Sequence, residues 1–528
     1  MAAAAVAPGS LSGAQPGTAS GHGDRHPPLT GIKLLIAAIA IGFGNFLVVL
    51  DTTIANVSVP NIAGSLGVSA SQGTWVITSY AVAEAITVPL TGWLTRRFGA
   101  QKVFIACYLA FGILSLLCGL AMSMGMLIAG RVLLGLAGGP LMPLSQMLLL
   151  RIFPPEKATL ASVIWAMTTV IAPVAGPILG GIISDGAGWP WIFYIKVPIA
   201  FACGLTAWWL LRGQPDPKAH ASIDVVGLGL LIVWVGAFQI MIDEGRNKDW
   251  FASTEIVVLG IVSLVGFLAF LFWELTEKNP IVNLRIFRHR GFTAAAITYS
   301  AGFGAFFASL VIFPLWLQQN MGYTATWAGY ATGIMGVLSI GCAPLVGKAV
   351  EKIDARMIIF TGLAGLGLLN AWRTLFTGDA TFWQIAGPTF LSGAFMVMFF
   401  VPVTGLAMAS VDPDEAADAA GLSNFMRTLA GAFATALVQT GWSNAGREKQ
   451  TALADSMTGG QQVLDGMIAN GTPPDVAVSS LSFLVERESV MLATLEMFGV
   501  VAIVFAFSAM LIWLAPKPKG PIDTSGGH

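Results

Sequence analysis

The chain is 528 residues long, 55% hydrophobic and only 10% charged, with a formal net charge of -1 and a mean hydropathy of +0.76. Soluble domains carry roughly 25% charged residues, so an ordinary water-facing surface is excluded. A near-neutral balance without clustered Lys and Arg also excludes a nucleic-acid binder, whose phosphate contacts need a basic patch.

Residues 1–29 are rich in Ala, Gly, Pro and Ser and lack the apolar core of a signal peptide, so a disordered cytoplasmic tail is expected there. One membrane crossing takes roughly 20 apolar residues. By that measure a first block of spans covers 34–59, 74–94, 103–122, 126–150, 160–184 and 191–211. Two more follow at 225–242 and 256–273, then a second block at 292–317, 326–346, 357–372, 382–407, 417–441 and 490–514. The expected fold class is an all-α membrane protein of about fourteen transmembrane helices. Its expected domains are an N-terminal six-helix bundle at 30–215, two additional helices at 216–280, a C-terminal six-helix bundle at 281–515 and a cytoplasmic tail at 516–528.

Lys and Arg fall in alternate loops, among them Arg96, Arg97 and Lys102, then Arg151 and Lys157, then Lys348, Lys352 and Arg356. The positive-inside rule then puts both termini in the cytoplasm, and puts the long stretch 443–488 on the other side. The remaining loops on that other side are poor in cations apart from Arg246, Lys248 and Arg373. Within 443–488, apolar pairs such as Val463-Leu464 and Met467-Ile468 among Gly, Pro and polar residues suit either short surface helices or a plain spacer. Cys107, Cys118, Cys203 and Cys342 lie in apolar stretches without metal-ligand spacing and read as small core hydrophobes.

Charges inside apolar spans carry the chemistry, because a charge at the centre of such a helix costs at least about 2.5 kcal/mol on insertion scales. At 1.5 Å per residue Asp51 lies roughly 13 Å below the outer end of the first span and Arg131 roughly 10 Å below that of the fourth, so the two can meet. A carboxylate subject to burial and to a neighbouring cation can release its proton in one conformation and recover it in another. Glu84 sits near mid-membrane with Tyr80, Thr87 and Thr91 on the same helix face, which is expected to line a cavity. It can carry a proton or attract a cation; equally, it can be a neutral carboxyl hydrogen-bonded to a neighbour. Arg131 likewise either takes part in proton coupling or ties helices together. Asn424 and Arg427, three residues apart, share one face of the thirteenth span.

Gly92-Trp93-Leu94-Thr95-Arg96-Arg97-Phe98-Gly99 after the second span is echoed by Gly347-Lys348-Ala349-Val350-Glu351-Lys352 after the tenth, which suggests duplicated halves. With two six-helix blocks, this loop resembles the major facilitator superfamily, and specifically its fourteen-span drug:proton antiporters. Leu50 to Val57 (LDTTIANV), Gln72 to Tyr80 (QGTWVITSY) and Ser423 to Gly431 (SNFMRTLAG) resemble the EmrB type within it, over nearly the whole chain. Ala172 to Gly181 (APVAGPILGG) is similar to the family's antiporter signature. The small residues alone allow a tight helix contact, whereas the resemblance implies a hinge at Pro173, Gly176, Pro177, Gly180 and Gly181.

Proton coupling is expected at Asp51 and Glu84 on physical grounds, at Arg131 because its segment resembles the family's fourth-helix motif, and at Arg427, which with Asn424 resembles the second-half polar site; the EmrB type is expected to carry a neutral residue where Glu84 stands. Trp75, Tyr80, Trp165, Phe193, Tyr299, Phe313, Trp316 and Asn424 stand in or beside cavity-lining spans of the superfamily and suit planar apolar drugs, although each aromatic alone also serves packing or anchoring. Three positions depart from the pattern. Leu134 replaces the usual Gln after Arg131, and Arg96 replaces the Asp common across the superfamily. Lys196 stands where Asn normally follows Trp191 to Ile195; near the start of its span it is expected to snorkel to the outer interface, without a function.

No GxxxxGK[ST] loop, metal constellation or paired nucleophile and base stands out, so no cofactor, no metal and no enzymatic activity is expected. The expected function is proton-in, drug-out exchange by rocking of two helix blocks about a midplane site. By resemblance the setting is a bacterial inner membrane. The expected partners are small hydrophobic drugs, protons, the lipid bilayer, a periplasmic membrane-fusion adaptor and an outer-membrane channel, with no nucleic acid. A dedicated exporter of one metabolite or siderophore fits the same residues. The buried charges weigh against a non-transporting receptor or scaffold.

Overall fold

The computed structural model describes residues 31–154, 157–212, 224–245, 248–278, 280–412, 415–456 and 460–517. The expected tail at 1–29, and that at 516–528 beyond its first two residues, lie outside the described residues.

The chain opens with the 36-residue helix α1 (Gly31–Leu66) and the single turn α2 (Ala70–Gly73), started by a Ser69–Gln72 capping box. Next come α3 (Trp75–Thr87) and α4 (Thr91–Phe98), separated around Pro89, whose ring and missing N–H interrupt a helix. The segments α5 (Ala100–Gly119), α6 (Met124–Gly138) and α7 (Leu141–Ile152) follow, with Gly139-Pro140 dividing the last two. Then α8 (Ala158–Gly186), the turn α9 (Trp191–Tyr194) and α10 (Lys196–Leu211) complete the first block. The pair α11 (Val225–Gly245) and α12 (Thr254–Thr276) precedes α13 (Arg290–Gln319), α14 (Ala325–Val350), α15 (Ala355–Arg373) and α16 (Phe382–Ala409). The chain closes with α17 (Ala416–Ser456), α18 (Gly460–Ala469) and α19 (Pro474–Leu511). No strand occurs among the described residues.

Among the described residues eleven helical stretches are long and apolar enough to cross a membrane, and up to twelve if a pair bent by 42° within α8 counts as one. Two of the fourteen expected spans fall short. The one at 74–94 is split at Pro89 into helices of 13 and 8 residues. The one at 417–441 lies in α17, where Asn424 and Arg427 dilute the apolar run. The stretch 443–488 is largely helical where described: α17 runs on to Ser456, α18 packs on α19, and α19 starts at Pro474, so helices hold there rather than a plain spacer.

Helix α1 packs on α8, α7 and α10, α3 on α6, and α5 on α6 and α10. In the second half α13 packs on α17, α19 and α16, and α15 on α16 and α19. The two groups meet where α8 lies against α14 and α16, and where α17 lies against α7 and α4. The α11–α12 pair leans on α3 and α17 through α11, leaving Val258, Leu264, Val265 and Phe272 of α12 exposed. Such a row suits hydrocarbon as its solvent. All four cysteines are free; Cys118 is buried and Cys107, Cys203 and Cys342 are half-buried.

At one end of the seam Arg96 of α4 meets Asp418 of α17 at 2.5 Å, and any Cβ at Gly92 would run into the same carboxylate. Glu415 beside it takes Arg288 and His289, each at 3.0 Å. The Arg96–Asp418 pair ties the halves together at that end, while the Glu415 contacts hold the start of α17 to the segment before α13 within the second half. Arg96 is about two-fifths exposed, 39% of its side chain, so its pair is worth no more than about 1 kcal/mol. Arg96→Ala is therefore expected to leave thermal stability nearly unchanged while loosening the seam. In a chain stripped of its native cysteines, it should speed labelling of Gly421→Cys, a position packed at 3.4 Å against Val88.

Candidate functional site

Asp51 of α1 is fully buried, and both of its carboxylate oxygens are taken. Arg131 of α6 donates through one terminal nitrogen to Oδ2, and Lys196 of α10 donates through Nζ to Oδ1. The arginine also donates from Nε to the Val76 carbonyl at 2.8 Å and lies over the Tyr80 ring at 4.3 Å. Its other terminal nitrogen has no partner among the described residues. The meeting of Asp51 with Arg131 follows from their depths, but the place of Lys196 corrects the sequence expectation. The lysine does not snorkel to an interface; it is wholly buried with Nζ 4.6 Å from the Phe193 ring centre. Its side chain leaves α10 toward α1, where a carboxylate offers far more than the distant surface. One buried carboxylate thus faces two buried cations.

Glu84 of α3 is buried, and no hydrogen bond or ion pair reaches its carboxyl among the described residues. It lies within Coulombic reach of Arg427, Asp51 and Arg131, and so joins the charges of both helix groups. The rest of its helix face does not line an open cavity as expected. The Thr87 hydroxyl bonds the Ala83 carbonyl at 2.9 Å and abuts Gly139 of the neighbouring chain segment, and Thr91 bonds Val88. Tyr80 backs against Gly138, its hydroxyl without a partner among the described residues. Glycines at 135, 138 and 139 let the α6 segment approach α3 so closely that Tyr80 and Thr87 are enclosed in the helix contact.

Arg427 and Asn424 do share a face of α17, and it points at α7. Asn424 donates to the Gln146 side chain at 3.1 Å, Arg427 contacts the Met142 sulfur, and the guanidinium lies 4.5 Å from the Phe303 ring centre. Among the described residues neither its Nε nor the Tyr299 hydroxyl has a partner. Tyr299 joins Phe303, Phe399 and Phe400 in an aromatic cluster beside it.

Arg373 is a further buried cation, which sequence reasoning assigned to a loop because the apolar run ends at Trp372. It is the last residue of α15, donates to Ser309 and Thr389 at 3.0 Å each, and lies 4.7 Å from the Phe313 ring centre with no carboxylate partner among the described residues.

The small residues of α8 pack directly behind Asp51. A Cβ at Gly176 would collide with the Thr53 hydroxyl and stand 3.1 Å from the Ile54 nitrogen, and one at Gly180 would stand 3.0 Å from the Ile54 carbonyl. Pro173 and Gly181 are buried, and the Pro177 side chain lies outside what is described. A tight helix contact is thus present, and the 42° bend falls between Pro173 and Ile178. Gly176→Leu is expected to lower stability by about 1–3 kcal/mol through overpacking. Gly186→Leu, in open space on the same helix, should stay within about 0.5 kcal/mol; thermal unfolding in detergent checks both.

The predicted aromatic set does not form one wall. Phe193 belongs to the Asp51 cluster, and Tyr299 sits near Arg427. Trp165 is buried and donates to Ser145 at 3.1 Å, while Trp75 is half-buried. Phe313 and Trp316 pack with Phe498 in the Arg373 cluster. Between α8, α14 and α16 the gap near Met167, Ser339 and Phe400 leaves approximately 0 Å³ for water, so the seam is shut there. A cavity of about 710 Å³ opens instead between α11, α12 and α17, lined by Trp234, Phe238, Phe251, Phe267 and Phe433 among others and by none of the eight predicted substrate residues.

A family model described as Major Facilitator Superfamily matches residues 41–435. The multidrug export protein EmrB of Escherichia coli (strain K12) is 40% identical over 505 residues, covering 95% of this chain and 99% of that protein. The fatty acid resistance protein FarB of Neisseria gonorrhoeae is also 40% identical, over 506 residues and the same shares of both chains. Among solved structures, the proton:xylose symporter XylE bound to 6-bromo-6-deoxy-D-glucose superposes with a TM-score of 0.58 at 13% identity, covering 93% of this chain and 98% of that one.

Proposed function

The chain belongs to the Major Facilitator Superfamily, and from that membership we propose that it exports structurally diverse hydrophobic drugs in exchange for protons. The observation that carries this is the buried charge set: Asp51, Arg131 and Lys196 meet inside the first helix group, and Glu84 stands within Coulombic reach of Asp51, Arg131 and Arg427, the last of which meets α7 across the seam. Charges held out of water in membrane-crossing helices mark proton relays and ion pathways. Homology to multidrug export proteins supplies the substrate class.

In the proposed arrangement fourteen helices cross a bacterial inner membrane, with 75–98 and the first part of α17 completing the crossings. Residues 30–215 and 281–515 form two rocking bundles, 216–280 adds the α11–α12 pair, and both termini are cytoplasmic. Segment 443–488 then projects into the periplasm, where its helices are the proposed contact for a membrane-fusion adaptor leading to an outer-membrane channel. Asp51, Glu84, Arg131 and Arg427 couple transport to protons, Tyr299 and Asn424 stand nearest the substrate path, and the bend in α8 works as a hinge.

Expression in a host stripped of its own pumps tests the substrate class. Resistance to several unrelated lipophilic compounds, abolished by a protonophore, is expected. No resistance across the panel together with accumulation of one compound would instead mean a dedicated exporter.

A further inference from the structure

We propose that Lys196 is the group of the Asp51 cluster that takes up and releases the proton, Asp51 staying ionised as the shared counter-ion; this rests on the proton-coupled function proposed above. The cluster holds one carboxylate and two cations, all three side chains wholly buried, so with every group charged it carries one uncompensated positive charge. An isolated buried charge is the most expensive state available to such a site. Three ways of removing it exist on paper. Arg131 cannot lose a proton in a protein. Protonating Asp51 makes the imbalance worse, leaving two cations without any anion. Only loss of a proton from the Lys196 ammonium leaves a neutral site, with the Asp51–Arg131 pair intact and the amine still able to donate to Oδ1.

The surroundings of Lys196 fit this role from every side. Asp51 faces it from α1, Arg131 from α6 and the Cys118 thiol from α5, while the Phe193 ring caps it from α9. No second carboxylate lies within bonding distance of Nζ among the described residues. In the balanced step Lys196–NH3⁺ gives one proton to water when the site opens on one side, and Lys196–NH2 takes one from water when it opens on the other. No bond other than N–H is made or broken. The cluster alternates between a charge of plus one and zero, and a lipophilic cation is tolerated nearby only in the neutral state. Proton and cationic drug then exclude each other by charge, which is the condition for exchange.

The test follows protons released on binding of tetraphenylphosphonium to the purified full-length protein in weakly buffered detergent, read with a pH dye. It is run in wild type, in Glu84→Gln to silence the second buried carboxyl, and in Glu84→Gln combined with Lys196→Arg or Lys196→Asn. Wild type should release protons, and Glu84→Gln, which lacks one of the proposed coupling carboxyls, should release fewer but still a measurable number. The Lys196→Arg combination, permanently charged, and the Lys196→Asn combination, permanently uncharged, should release none. Lys196→Asn should also bind the cation with an affinity that no longer falls in acid, a change that mere loss of packing would not produce. Thermal unfolding shows which variants are folded, and either one suffices. Release surviving in a folded Lys196 variant, or vanishing already in Glu84→Gln, overturns the assignment to Lys196. Absence of release in wild type overturns proton coupling itself, a separate result.

Discussion

Asp51→Asn is expected to abolish transport and to lower the stability of the folded protein. The carboxylate is the only anion bonded to Arg131 and Lys196 among the described residues, and all three side chains are withdrawn from solvent. Removing one partner of a buried ion pair costs about 3–5 kcal/mol, because the partners left behind stay desolvated without compensation. Asparagine keeps the size and one acceptor oxygen but no charge, so packing around Thr53, Gly176 and Val76 is preserved and the loss reports electrostatics. Thermal unfolding in detergent should show a large downward shift, with drug efflux lost in the same variant. An Asp51→Asn protein with unchanged melting and transport would mean that the cluster is idle.

Glu84→Gln is expected to act in the opposite proportion, with little change in stability and complete loss of gradient-driven efflux. No partner holds the Glu84 carboxyl among the described residues, so an amide of the same shape breaks no observed bond. What it removes is the ability to change charge within reach of Arg427, Asp51 and Arg131. Drug binding should persist, measured by equilibrium binding of a lipophilic cation, while a pH gradient no longer drives release. The contrast separates a carboxylate that supports the fold from one that only responds to it.

Much of this arrangement is legible in the residues. Apolar runs locate most helices, and helix rise alone brings Asp51 and Arg131 to similar depth. The three-residue spacing of Asn424 and Arg427 puts them on one face, and that face meets Gln146 and Met142. Lys196 was missed for an identifiable reason. Its distance from the helix end suggests an easy route to water, and only the neighbouring helices reveal that Asp51 lies closer. Arg373 was lost because a hydropathy run ends one residue before the helix does. Thr87 and Thr91 read as a cavity face, but Gly135 and Gly139 bring another segment onto Thr87, and Gly421 of α17 comes up beside Thr91. The seven aromatics share a composition but not a place, since they come from four different helices and only packing decides which of them meet. The cavity beside α12 has no polar signature at all and could be found only in three dimensions.

The central claim is that buried charge change drives export, and pH-gradient-driven efflux of a lipophilic cation from proteoliposomes tests it most directly. Efflux should rise with the imposed gradient in wild type and disappear in Asp51→Asn and Glu84→Gln, with binding retained in the latter. Efflux in wild type that is indifferent to the gradient would contradict it.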